Sequence, residues 1–164
     1  MLARSKGIEG DHNEAYEAVL PAIALNPNST QAIAALGAAT LWGGRPSEAR
    51  DVLLKALRLN PRDPLNATLP FNFFWSYYFE RDYANAAEVA RRAAAQFPGM
   101  PAYRNLAAAL GHLGRAEEAR AALHKAIELS PQAFDLYVRS RPAFFSPEYH
   151  EQLVDGLRKA GWQG

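Results

Sequence analysis

Seven of the nine residues in Phe71-Asn-Phe73-Phe74-Trp75-Ser-Tyr77-Tyr78-Phe79 are aromatic, in an otherwise alanine-rich chain. Such rings do recognition chemistry: they bury large apolar area, and Trp and Tyr each add one polar handle. Residues that make or break bonds are sparse by comparison. There are no cysteines, which excludes disulfides and thiolate metal sites. His12, His112, His124 and His150 each lack a second ligand at metal-site spacing, and His150-Glu151 lacks the following histidine of a metalloprotease helix. Glu117-Glu118 reads as the acidic first turn of a helix. Arg91-Arg92 reads as a short basic spot, not a nucleic-acid stripe. No glycine-rich phosphate loop and no nucleophile constellation is present. The chain is therefore not expected to be an enzyme or to hold a metal or a cofactor.

Rings of this kind need elements to position them, and the chain repeats itself. Pro46-Ser-Glu-Ala49-Arg-Asp-Val-Leu53-Leu-Lys-Ala56-Leu-Arg-Leu-Asn-Pro61 returns as Ala116-Glu-Glu-Ala119-Arg-Ala-Ala-Leu123-His-Lys-Ala126-Ile-Glu-Leu-Ser-Pro131. In both, a small residue is followed at +4 by an apolar one, at +7 by alanine and at +12 by proline. Ala86, Ala90, Ala93 and Pro98 fit the same template, as do Ala15, Val19, Ala22 and Pro27. The pattern resembles the second helix of a tetratricopeptide repeat, a helix-turn-helix unit of about 34 residues. The resemblance implies an all-α fold: a right-handed superhelix of antiparallel helix pairs closed by a C-terminal capping helix. Gly10, Gly43-Gly44 and Gly114 mark the turns inside the repeats, with Arg81-Asp82 in that role in the third unit. First helices follow, with Ile33, Leu36-Gly37 and Thr40 in one and Tyr103, Leu106-Ala107 and Leu110 in another. Pro70, Phe73-Phe74 and Tyr77 depart furthest from the family pattern.

The prolines at 27, 61, 98 and 131 are spaced by 34, 37 and 33 residues, so one insertion is expected, at Asp63-Pro64-Leu65-Asn66. The predicted units are a partial first repeat at 1–28, repeats at 29–63, 64–99 (insertion at its start) and 100–131, and a C-terminal region at 132–164. Residues 2–9 read as the tail of a helix that begins before Met1, so a longer or trimmed parent is expected. In the C-terminal region, 132–139 suits a short helix stopped before Arg141-Pro142. Ser146-Pro147-Glu148 then starts a last helix with an apolar face of Tyr149, Leu153, Val154 and Leu157. That helix is expected to cover the last repeat's exposed side.

Composition narrows the partners. A formal charge of +1 argues against nucleic acid or a membrane surface held by electrostatics. No stretch reaches the ~20 apolar residues of a membrane span, and charges run through residues 1–20, unlike a signal peptide. A cytoplasmic protein is expected.

Parts of the chain resemble the tetratricopeptide regions of bacterial class III adenylate/guanylate cyclases. These are Ala56-Leu-Arg-Leu-Asn-Pro61-Arg62-Asp63-Pro64, Leu106-Ala-Ala-Ala-Leu-Gly-His-Leu-Gly114-Arg-Ala-Glu-Glu-Ala119, and the ending Arg141-Pro-Ala-Phe144 with Leu157-Arg-Lys-Ala-Gly161-Trp162. The resemblance implies a docking or regulatory tail of a signalling protein, without cyclase activity in this chain.

On a helix, Phe73, Phe74 and Tyr77 fall on the face that the repeat template buries. Phe71, Trp75, Tyr78 and Phe79 fall on the other, which in this architecture lines the concave groove. Leu41 and Trp42 are the equivalent positions one repeat earlier; Arg104, Ala108 and His112 are those one repeat later. These nine residues are the candidate groove for a protein or peptide partner, with Arg104 placed to pair a carboxylate. Self-association into a homodimer through the aromatic face, or internal packing of the rings, are the alternatives.

Overall fold

The computed structural model describes residues 12–61 and 69–164. Gly10, residues 2–9 and the expected insertion at 63–66 lie outside the described residues. Among those described there are nine helices and no strand. The chain divides into two compact units, Met1–Ser76 and Tyr77–Gly164.

The first unit contains α1 (His12–Leu25), α2 (Thr30–Trp42), α3 (Pro46–Leu59) and the start of α4 (Leu69–Phe79). Ser29 caps α2 by accepting from the Ala32 N–H, and Pro46 opens α3 where a missing N–H costs nothing. Between them Gly44 takes φ 84°, the left-handed turn that glycine permits. α2 then lies back on α3 at close range. A Cβ on Gly37 would fall 2.6 Å from Leu53 Cδ2, so the small residue is what lets the two backbones meet. Ala15, Ala49 and Leu53 are fully buried.

In the second unit, α5 (Tyr83–Gln96), α6 (Met100–His112) and α7 (Ala116–Leu129) are followed by α8 (Pro131–Arg139) and α9 (Pro147–Lys159). Arg81 supplies the turn into α5 with a left-handed φ of 63°, and Asp82 caps α5 by accepting from the Asn85 N–H. Gly114, at φ 70°, makes the turn between α6 and α7. Ala86 and Ala119 are fully buried, as the template requires. Ser146 caps α9 by accepting from the Tyr149 N–H, with Pro147 first in the helix. α6 is the hub: α5, α7 and α9 all pack on it, and every residue from Arg104 to Gly111 is buried. A helix covered on all sides needs small residues somewhere, and α6 has Ala107, Ala108, Ala109 and Gly111.

Candidate functional site

Of the nine groove candidates, Leu41, Trp42, Phe71 and Trp75 lie in the first unit. Leu41 and Trp75 have no exposed surface, while Trp42 and Phe71 are half-buried. The Trp42 ring stands 6.1 Å from both Phe71 and Trp75, and Phe71 meets Trp75 edge-on at 5.9 Å. Phe74 completes the cluster at 4.8 Å from Trp75. Trp75 is thus the centre of a packed aromatic cluster and not a groove wall. The face assignment for α4 is corrected in part: Phe74, expected inside, is fully buried. Trp75 and Tyr78 are fully buried, whereas Phe73 and Tyr77, expected inside, are only half-buried.

Tyr78, Phe79, Arg104, Ala108 and His112 lie in the second unit; α9 meets Tyr78, Phe79, Ala108 and His112, while Arg104 lies against Tyr137 of α8. The Tyr78 hydroxyl and His112 Nε2 both donate to the Gln152 main-chain carbonyl, at 3.0 and 3.1 Å. The Gln152 amide returns two bonds, to the Tyr78 carbonyl at 2.6 Å and the Tyr83 hydroxyl at 3.1 Å. Phe79 stacks on Tyr149 at 3.5 Å and meets Phe145 edge-on. His112 stacks on Tyr83 at 4.1 Å. Ala108 is fully buried; a Cβ added to Gly156 would lie 2.7 Å from its carbonyl. The surface expected to be open is occupied by the chain's own last helix.

Burial sets the electrostatics. Desolvation pushes the Tyr78 hydroxyl well above the usual phenol range, with the neighbouring Tyr83 and Asp155 adding to it. Desolvation also holds His112 below the usual imidazole value, although the bond to the Gln152 carbonyl opposes this. Lys159 Nζ stands 3.3 Å from His112 Nδ1. An ammonium can only donate, so Nδ1 is the acceptor and the ring is the neutral Nε2–H tautomer.

Arg104 departs most from its expected place. It is 1% exposed instead of rim-facing, donates from Nε and Nη2 to Asn105 Oδ1 at 3.2 and 2.8 Å, and lies 3.7 Å over the Tyr137 ring. Among the described residues no carboxylate pairs with it. Burial lowers its pKa, and Tyr137 counteracts that fall. Gln152 and Gly156, which meet Tyr78 and Ala108, were missed in the sequence. The signal was a glycine in the interior of an amphipathic helix, a position that costs about 1 kcal/mol unless something needs the space.

The arrangement holds a helix, α9, against α6. No cluster of three or more His, Cys, Asp or Glu side chains suited to a metal occurs among the described residues, and none of their helices is long and apolar enough to cross a membrane.

Residues 101–133 match the tetratricopeptide repeat family. No curated protein matches the sequence. Solved structures are similar over nearly the whole chain. One is MamA, at 21% identity and TM-score 0.67 over 98% of this chain and 92% of that one. Another is MamA (41-end) from Desulfovibrio magneticus RS-1, at 19% identity and TM-score 0.68 over 97% and 89%. A thermophilic tetratricopeptide repeat protein of Thermus thermophilus shares 27% identity, with TM-score 0.66 over 93% and 78%. These likenesses agree with the helices: the fold is all-α and of the tetratricopeptide-repeat kind. None of these matches is a nucleotide cyclase.

Proposed function

We propose that the chain is a protein-interaction module, without catalysis, that holds a segment of a partner on a helix surface. The observation that carries this reading is α9 itself, because the α6 surface already accepts a helix by shape and by main-chain hydrogen bonds. The repeat-type fold supports it. In the first unit, the half-buried rings of Trp42 and Phe71 are the proposed contact. In the second, Tyr78, Phe79, Ala108 and His112 serve the same role only when α9 is absent from them, while Arg104 lies against Tyr137 of α8. The reading extends to a cytoplasmic docking tail of a bacterial nucleotide cyclase-like signalling protein, on the resemblance of residues 56–64, 106–119 and 141–162.

Two experiments test this. A partner captured on the chain is identified, repurified and titrated by calorimetry. Binding is expected to weaken at least tenfold in Trp42→Ala/Phe71→Ala, and equal binding overturns the proposed surface. The size of the native protein in its host, read with an antibody to this chain, tests the tail. A band near the chain's 18.1 kDa rules that extension out.

Self-association is the second reading, favoured by the same two half-buried rings. Light scattering that shows a dimer lost on Trp42→Ala selects it over partner capture.

A further inference from the structure

We propose that α9 is a displaceable occupant of the α6 surface, and that this surface receives a partner helix bearing α9's own pattern. The pattern is a glutamine, a glycine four residues later and a small residue four after that, as in Gln152, Gly156 and Ala160. This rests on the interaction-module reading above and names the partner's chemistry.

The seat selects by size. A Cβ on Gly111 would collide with the Gly156 carbonyl and lie 2.9 Å from the Ala160 nitrogen. One on Gly156 would lie 2.5 Å from the Tyr78 hydroxyl and 2.7 Å from the Ala108 carbonyl. Only a helix with a residue lacking bulk at that point can lie down. The seat also reads the main chain, since Tyr78 and His112 converge on the carbonyl of Gln152 and not on a side chain unique to this protein. One side-chain test remains: the amide, held between the Tyr78 carbonyl and the Tyr83 hydroxyl. Any helix meeting these conditions competes with α9.

α9 is joined to α8 by residues 140–146, which form no helix.

The test uses the chain's own helix and not an unknown partner, so its failure is separable from failure of the module reading. A fluorescein-labelled peptide of residues 146–162 is titrated into the full chain, into Gly156→Leu, and into Gly156→Leu/Gly111→Leu. Gly156→Leu unseats the resident α9 and is expected to bind the peptide at least tenfold more tightly than wild type. The double variant, whose seat is blocked, is expected to return to the wild-type level. Equal affinity for all three overturns the proposal. Native-state hydrogen exchange on the unaltered chain guards against a variant that does not fold. The α9 amides are expected to exchange through an opening that leaves α6 protected. Protection of α9 equal to that of α6 means that α9 opens only with the whole unit, and the proposal falls. Should the peptide fail while an identified partner still depends on Trp42 and Phe71, the module stands and the displaceable helix does not.

Discussion

Gly111 of α6 and Gly156 of α9 face each other with no room for a side chain on either: the Cβ that Gly111 lacks would occupy the Gly156 carbonyl. This close backbone approach lets α9, with polar residues on most of its surface, lie directly on α6 at one point. Gly156→Ala gains helix propensity of about 1 kcal/mol. It also drives a methyl against the Ala108 carbonyl and the Tyr78 hydroxyl. Overpacking of this kind costs roughly 1–3 kcal/mol, so the net change is expected to be a loss. Gly111→Ala, which meets backbone alone, is expected to lose more. Urea denaturation of both variants measures the order.

Trp75→Ala is expected to destabilise the chain by about 3–5 kcal/mol, the range for deleting a large buried ring. Trp75 has no exposed surface and touches Trp42, Phe71 and Phe74. Trp42→Ala and Phe71→Ala, at half-buried positions, are expected to cost less than half as much. Thermal melts that rank Trp42 above Trp75 contradict the central place of Trp75.

Ala49 and Ala119 test the repeat pattern directly. Both are fully buried where two helices meet. Ala49→Trp and Ala119→Trp are expected to cost at least the roughly 1–3 kcal/mol of ordinary overpacking. Unchanged melting temperatures would remove the physical basis of the pattern.

Features set by local chemistry were legible in the sequence. The alanines at 15, 49, 86 and 119 are all buried. Gly44, Gly114 and Arg81 all make left-handed turns, and Ser146-Pro147 starts α9. The site was less legible, for two reasons. The family template leaves the inner face of a first helix open, but here it meets a helix whose contact residue, Gln152, lies 74 positions from Tyr78. Nothing in either neighbourhood encodes that meeting except the glycines. Arg104 failed for a different reason. Arginine reads as a surface residue, yet a planar, weakly hydrated cation can be buried when it has a ring to stack on and an amide to bond. Tyr137 and Asn105 provide these, from another helix and from the adjacent position.

That burial gives a counter-intuitive expectation. Replacing a buried charge with an apolar residue of similar volume is often neutral or stabilising. Arg104→Met is therefore expected to leave stability within about 1 kcal/mol of wild type or to raise it. Asn105→Ala removes the oxygen that accepts both Arg104 bonds while leaving the charge in place. It is expected to cost about 1.5–3 kcal/mol, the range for a hydrogen bond to a charged group. Denaturation of the two variants in parallel tests the pair, and the reverse order would show that the guanidinium itself holds the fold together.

His112 makes the seating of α9 depend on pH. Its ring is neutral, donates to the Gln152 carbonyl and has a pKa held below the ordinary 6.5 by desolvation. Between that lowered value and 6.5 the unfolded chain binds more protons than the folded one, so stability rises with pH there. The contribution is fully present above the ordinary value and disappears as pH falls through the lowered one. Among the groups facing the ring, Lys159 and Arg81 oppose protonation and Asp155, 3.8 Å from Nδ1, favours it. His150, depressed by desolvation in spite of the Val138 and Tyr137 carbonyls, acts in the same direction. Melting temperatures compared at about pH 7.5 and about pH 5.5, on either side of the imidazole range, are expected to fall in wild type. The fall is expected to shrink in His112→Gln, which keeps an N–H for the Gln152 carbonyl, and to shrink further with His150→Gln added. An equal fall in all three chains would remove both histidines from the pH response.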